Sequence, residues 1–267
     1  MTNWKNKIVV ITGGSAGLGF AIAQAFGKFD AKPILIGRNE ARCRSAVQAL
    51  ANQSIIADFE TADVTNQQSA TTAIDQIVDR HQQIDVFINN AGRSIRVDLM
   101  KATVEQYREL MEVNFFAAVS CTQHVLPILA DSSGHLVNIG SLSSRTAWPF
   151  LGPYTTSKYA LAGYTHQLRL EGPRNVHFML VCPGPIARDD SGSRYNDESG
   201  HVPETALKPG AGARLKGISA NYVAKKIVAG CRRRKREIVL PIRARLLFAI
   251  SSLSPPLGDW ISRRMMN

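Results

Sequence analysis

Short apolar runs alternate along this chain with longer stretches in which apolar residues recur every three to four positions. Ile8–Thr12 is a β-branched run, and residues 33–36, 55–59, 84–89, 134–140, 176–182 and 237–241 repeat the pattern, so seven strands are expected. The third is expected to end near Asp63. Residues 20–29, 40–51, 67–80, 104–127, 154–170 and 219–230 have helical spacing; in the first, Ala21 pairs with Ala25 and Ile22 with Phe26 at i, i+4. Pro127 should fall near the end of one long helix, and Ser219 should cap the last. Residues 184–217, rich in Gly, Ser and Pro, read as a loop. Strands alternating with helices imply parallel pairing through right-handed crossovers. The expected fold is therefore α/β: a single doubly wound (Rossmann) domain over residues 1–241 with a mostly parallel, seven-stranded sheet. Residues 242–267 follow as a basic, apolar C-terminal extension in which Pro255 and Pro256 forbid one continuous helix.

Composition narrows the class. With 267 residues the chain can bury one sizeable core, and 45% hydrophobic with 20% charged residues excludes a disordered or collagen-like chain. The four cysteines form no CxxC pair, which predicts a reducing compartment and no metal site. The apolar run Ile8–Ile11 is too short for a signal peptide, and no stretch reaches the run of apolar residues that a membrane span needs; the expected location is the cytoplasm. The net charge of +11 is lopsided. Residues 1–204 carry 18 Lys+Arg against 19 Asp+Glu, whereas residues 205–267 carry 14 against 2, so the excess concerns partners rather than fold.

Three sets of residues suggest chemistry. Thr12-Gly13-Gly14-Ser15-Ala16-Gly17-Leu18-Gly19 joins the first strand to the first helix, where glycines let the backbone approach a pyrophosphate and helix N–H groups face it. At the end of the second strand, where an acidic side chain would hold the ribose of NAD, stand Gly37 and Arg38; a guanidinium suits a 2′-phosphate and so favours NADP(H) over NAD(H). Tyr154 and Lys158 share a helix face at i, i+4, and an ammonium there favours the phenolate, making the tyrosine a competent acid–base. Ser141, thirteen positions earlier, follows a strand and could hold a carbonyl that the tyrosine protonates.

Together with Asp63-Val64, Asn89-Asn90-Ala91-Gly92, Asn114 and Pro183-Gly184, these motifs resemble the short-chain dehydrogenase/reductase family in its TGxxxGxG branch, in order and spacing from about residue 7 to residue 188. The resemblance implies that Tyr154 is the general acid in reduction and the base in oxidation, that Lys158 lowers its pKa and binds the nicotinamide ribose, and that Ser141 orients the carbonyl. It further implies that Asn114 holds a water in a proton relay, that Gly13, Ser15, Gly17, Leu18 and Gly19 cradle the cofactor, and that Asp63 and Val64 lie at the adenine. Asn90, Ala91 and Gly92 would pack along the cofactor, and Pro183-Gly184 would lie near the nicotinamide. Where the family often has a threonine, five residues beyond Pro183, this chain has Arg188, so backbone groups of Ile186 are expected to contact the carboxamide instead. Residues 186–217 would close over the substrate, and family members commonly form homo-oligomers.

The expected activity is an NADPH-dependent oxidoreductase that reversibly reduces a ketone or aldehyde carbonyl, on an apolar substrate. Two alternatives stay open: a 3-oxoacyl-[acyl-carrier-protein] reductase, and an NADP-binding regulatory protein without turnover. Arg232-Arg233-Arg234-Lys235-Arg236 and the arginine-, leucine- and tryptophan-bearing segment 243–266 are read as a peripheral membrane contact through residues 232–267, a docking site for an acidic partner, or a cover for the pocket or a subunit interface. No nucleic-acid motif is present.

Overall fold

The computed structural model describes residues 3–187, 202–207, 210–211 and 217–264; Arg188 and most of the expected substrate loop lie outside them. Seven parallel strands form one sheet in the order β3-β2-β1-β4-β5-β6-β7: β1 (Ile8–Thr12), β2 (Lys32–Gly37), β3 (Asp58–Thr61), β4 (Val86–Asn89), β5 (His135–Ile139), β6 (His177–Pro183) and β7 (Glu237–Leu240). Because alternate residues of a strand face opposite ways, Val9 and Ile11 enter one core and Ile8 and Val10 the other. On the first face lie α1 (Gly17–Gly27), α2 (Glu40–Ala51) and α7 (Ala220–Arg232); on the second, α3 (Gln67–His81), α5 (Ala117–Asp131) and α6 (Gly152–Glu171).

Several expectations from periodicity shift. β3 starts at Asp58, not at residue 55: Ile55 is buried against Gly27 of α1, where a Cβ would come within 2.2 Å of its Cγ2, while Ile56 is exposed. Ile55 therefore closes the end of α2, its N–H bonded to the Leu50 carbonyl (3.1 Å), instead of joining the sheet. The first helix begins at Gly17 rather than at residue 20 and stops before the exposed Phe29.

The single helix expected over 104–127 is α4 (Val104–Met111), a π-turn at Glu112–Phe116 and α5, continuous through Pro127 to Asp131. Contrary to the expectation from consecutive apolar residues, this 28-residue helix contains an 18-residue window of mean hydropathy 1.4, long and apolar enough to cross a membrane by length and composition. Its buried residues Ala117, Cys121, Val125 and Leu129 instead pack into the core on the second face. Ser219 precedes α7, yet its hydroxyl makes no capping bond. The C-terminal segment forms α8 (Ala244–Leu253) and α9 (Pro255–Arg264), divided at the prolines.

Candidate active site

The strand order reverses between β1 and β4, and in a parallel sheet a crevice opens there beyond the strands' C-terminal ends. The glycine-rich turn leaves β1 at this edge. Gly13 (φ +64°) and Gly17 (φ +54°) adopt the left-handed backbone that other residues resist, and a Cβ at Gly19 would sit 2.3 Å from the Gly13 carbonyl oxygen. Ala16 precedes α1 without a side-chain cap, and the first turn carries no acidic residue. The N–H groups of that turn thus point, unblocked and with the positive end of the helix dipole, into the crevice.

Thr12 ties this turn to the one after β4. Its Oγ1 donates to the Ile88 carbonyl (3.3 Å) and accepts from the backbone N–H groups of Asn90 and Ala91 (both 3.0 Å). Asn90 Nδ2 returns bonds to the carbonyls of Thr12 (2.9 Å) and Gly13 (3.1 Å). Beside them Val64, Ala91, Val113 and Ala117, with Thr12 and Asn89, line a small depression. Arg38 is exposed just past β2, and its guanidinium lies 3.8 Å from Asp63. Burial works against the Asp63 carboxylate, but bonds from the Thr65 backbone and hydroxyl, with the Arg38 charge, hold its pKa below the ordinary value. The close-packed glycines and the uncapped start of α1 leave backbone N–H groups free for an anionic group such as a pyrophosphate.

Ser141 follows β5 and caps a short 3₁₀ turn, Leu142–Ser144. Its Oγ accepts from the Ser143 N–H (3.1 Å), and Ser144 Oγ accepts from its backbone N–H (3.1 Å). Pro153 opens α6, where a missing N–H costs nothing, and sets Tyr154 and Lys158 one turn apart. Lys158 is buried; its Nζ donates to the Ile139 carbonyl, two residues before Ser141, at 2.8 Å and lies 5.9 Å from the Tyr154 ring centre. Burial pushes the ammonium down to about 8. Tyr154, half-buried, rests against Ile95, Val97 and Leu110 on one side and Trp148, Leu151 and Ala211 on the other.

Asn114 sits in the π-turn, which rotates it inward. Its Oδ1 accepts from the Arg93 N–H (2.9 Å), and its Nδ2 donates to the Arg93 carbonyl (2.9 Å) and to Ser157 Oγ (3.0 Å). Ser157 in turn donates to the Tyr154 carbonyl (2.7 Å), so it couples Asn114 to the start of α6. Pro183 ends β6, Gly184 donates to the Leu240 carbonyl (2.7 Å), and Ile186 bridges to Ile218. Of the expected catalytic and cofactor residues that are described, all but Arg38 and Asp63-Val64 leave strands β1, β4, β5 and β6 or lie in α1, the π-turn and α6 beside them; those three follow the C-terminal ends of β2 and β3, on the same edge.

Sequence reasoning missed Ser157 and a buried network beneath the crevice. Asn89 Nδ2 donates to Asn138 Oδ1 (2.8 Å) and Thr122 Oγ1 (3.1 Å), and Asn138 Nδ2 donates to Thr165 Oγ1 (2.9 Å). The available signal was an asparagine inside each of two apolar strand runs, since a buried amide needs partners. Among the described residues, no group of three or more His, Cys, Asp or Glu side chains converges as a metal site would.

The family model described as short chain dehydrogenase matches residues 7–199. A relative from Danio rerio, dehydrogenase/reductase SDR family member 7B, is 33% identical over 248 residues, covering 89% of this chain and 78% of that protein. The ketoacyl reductase HetN of Nostoc sp. is 30% identical over 275 residues, 98% of this chain and 90% of that one. A solved short-chain dehydrogenase/reductase from Burkholderia phymatum, in complex with NAD, superposes with a TM-score of 0.83 at 21% identity, covering 96% of each chain, which speaks for the fold. The chain belongs to the short-chain dehydrogenase/reductase family, oxidoreductases that interconvert carbonyl and CH–OH groups of small molecules with a nicotinamide cofactor.

Proposed function

We propose that the protein is an NADPH-dependent carbonyl reductase, reversible as an alcohol dehydrogenase, acting on an apolar ketone or aldehyde. The observation that carries this reading is the buried Lys158 ammonium one helix turn from Tyr154, anchored on the strand that delivers Ser141. When bound, the nicotinamide supplies the hydride. The glycine turn and the start of α1 hold the pyrophosphate, Asn90, Ala91 and Gly92 flank the ribose, and Val64 with Asp63 receives the adenine. Ser141 Oγ orients the carbonyl oxygen, and Tyr154 gives that oxygen a proton. Lys158 supplies the positive charge that favours the phenolate left behind. Asn114, pinned by Arg93 and Ser157, holds the water that returns the proton, while Pro183, Gly184 and the Ile186 backbone bound the nicotinamide side. Removing the phenol tests the assignment: Tyr154→Phe should lower kcat by about 10²–10⁴-fold with NADPH binding intact, and an unchanged rate refutes it.

The preference for NADPH rests on Arg38, exposed beyond β2, where no acidic residue of the strand competes for the ribose. Arg38→Asp should raise KM for NADPH and lower it for NADH; an unaltered ratio counts against the 2′-phosphate contact. An apolar substrate is supported by the Ile95, Val97, Leu110, Trp148 and Leu151 walls around Tyr154. The name of the Nostoc relative and the basic surface favour a second reading, a 3-oxoacyl-[acyl-carrier-protein] reductase docking an acidic carrier; kinetics on free ketones against carrier-bound ones separate the two. Four buried free thiols support a cytoplasmic location, and exposed Phe116, Tyr159 and Leu170 support a homo-oligomer.

A further inference from the structure

β7 spans only four residues, about 13 Å at the usual rise, yet it separates two basic regions that adjoin in sequence. The run from Arg232 to Arg236 precedes it, at the N-terminal edge of the sheet. There Arg234 donates to the Asn175 carbonyl (2.8 Å), Arg232 lies over the Phe29 ring, and the Lys235 and Arg236 carbonyls bond His177 and Leu180. Helices α8 and α9 come after β7, at the edge that carries Ser141 and Tyr154. They cross where Gly258 meets Ser251: a Cβ at Gly258 would come within 2.6 Å of Ser251 Oγ.

Helix α8 has two sides. Leu247 turns inward onto the Trp148, Leu151 and Ala211 cluster that also holds Tyr154, and Phe248 packs onto Leu142, Cys182 and Val239. Outward, Leu246 and Leu253 (88% exposed) stand in solvent, joined by Leu257 and Trp260 (56%) of α9 and by Ile242 just before α8. Arg243, Arg263 and Arg264 are exposed among them, as is Arg245, whose guanidinium also donates to the Glu237 carbonyl at the start of β7 (3.3 Å); Asp259 is the single acidic residue, and Arg264 lies over the Trp260 ring. Isolated exposed leucines are ordinary, but several together with a tryptophan among arginines match a helix lying in a bilayer interface. There the aliphatic groups enter the acyl boundary while guanidinium heads stay at the phosphates. Such cations are drawn to the negative potential of an anionic leaflet, so four arginines against one carboxylate select anionic lipid.

We propose that the outward face of the α8–α9 hairpin is a docking surface for a bilayer containing anionic phospholipid, and that the run from Arg232 to Arg236 takes no part in it. The proposal deepens the apolar-substrate reading and rests on it for one consequence: the hairpin that touches the bilayer also walls the site, so a ketone dissolved in lipid reaches Tyr154 without crossing bulk water.

The test uses the full chain with vesicles of phosphatidylcholine alone or with about 30 mol % phosphatidylglycerol. Wild-type protein should co-sediment at least about tenfold more with the anionic vesicles. The triple variant Leu246→Ser, Leu253→Ser, Trp260→Ser should lose that binding, whereas glutamine at all five positions from 232 to 236 should keep it. Trp4 and Trp148 are buried (2% and 6% exposed), so a blue shift of tryptophan emission on anionic vesicles reports Trp260. Equal sedimentation of the wild type and the triple variant overturns the proposal. So does unmoved emission, or a triple variant that becomes monomeric from an oligomeric wild type while vesicle binding persists, which would make the face a contact with a second copy. Turnover of a short, water-soluble ketone should be the same in every variant. Its absence from the wild type would instead refute the carbonyl-reductase reading and leave the vesicle result standing.

Discussion

A Cβ added at Gly92 would sit 2.6 Å from Asn114 Oδ1 and 3.6 Å from Lys158 Nζ. No side chain fits there unless Asn114 gives way, and Asn114 is held by three bonds to Arg93 and Ser157. Gly92→Ala should therefore displace the amide and lower kcat by about 10²-fold, the usual consequence of ångström-sized misplacement in a catalytic array. Cofactor affinity, followed by fluorescence titration, should change far less. Spacing in the chain places Tyr154 and Lys158 on one helix face, because one helical turn is a local fact. It says nothing of Ser157, whose hydroxyl matters only because a π-turn 43 residues earlier brings Asn114 to it.

Between elements, the decisive contact is Gly27 of α1 against Ile55. An alanine methyl at Gly27 would lie 2.2 Å from Ile55 Cγ2 and 3.0 Å from two further carbons of the same side chain. Forcing a methyl into that contact should cost about 1–3 kcal/mol, read as a lower urea midpoint with an unchanged slope. Because one side chain is the obstacle, Gly27→Ala combined with Ile55→Ala should cost less than the sum of the two single changes. The same contact explains why β3 begins later than its hydrophobic pattern suggests. Ile55 is apolar because it closes α2 onto α1, and period-two reading cannot distinguish that from a strand.

Across the whole molecule, the edge of the sheet opposite the crevice carries a buried histidine pair. His135 Nδ1 and His177 Nδ1 are 2.8 Å apart, and His177 Nε2 lies 2.9 Å from the Lys235 carbonyl. That carbonyl requires a proton on His177 Nε2, which leaves His177 Nδ1 as the acceptor and His135 Nδ1 as the donor, both rings neutral. Burial, the second imidazole and the Arg234 and Lys7 charges push His135 down to about 3; burial and Arg234 lower His177, against the bond to Lys235. The unfolded chain binds these protons near pH 6.5 and the folded chain does not, so stability is complete above about 6.5 and falls as the pH drops toward 3. The loss should approach about 1 kcal/mol per pH unit from His135, with a smaller loss of the same sign from His177. Urea unfolding at pH 7.5 and 5.5 should show it, and His135→Gln with His177→Gln should flatten the dependence.

What the linear chain already dictates here is everything governed by near neighbours: seven short apolar runs, the helices between them, the glycine turn before α1, the lone Arg38 after β2 and the Tyr154–Lys158 spacing. Their periods and turn chemistry are properties of a few consecutive residues, and parallel pairing follows from the alternation. The rest depends on residues that meet only when distant segments pack. The Asn89–Asn138 bond, the histidine pair, the start of β3 and the division of the basic C-terminal quarter between opposite edges of the sheet are of this kind. A charge run and an apolar helix separated by seven residues look like one surface in the sequence. Four residues of β7 carry the chain from one edge to the other and turn most of the two apart, with Arg245 alone reaching back to the Glu237 carbonyl.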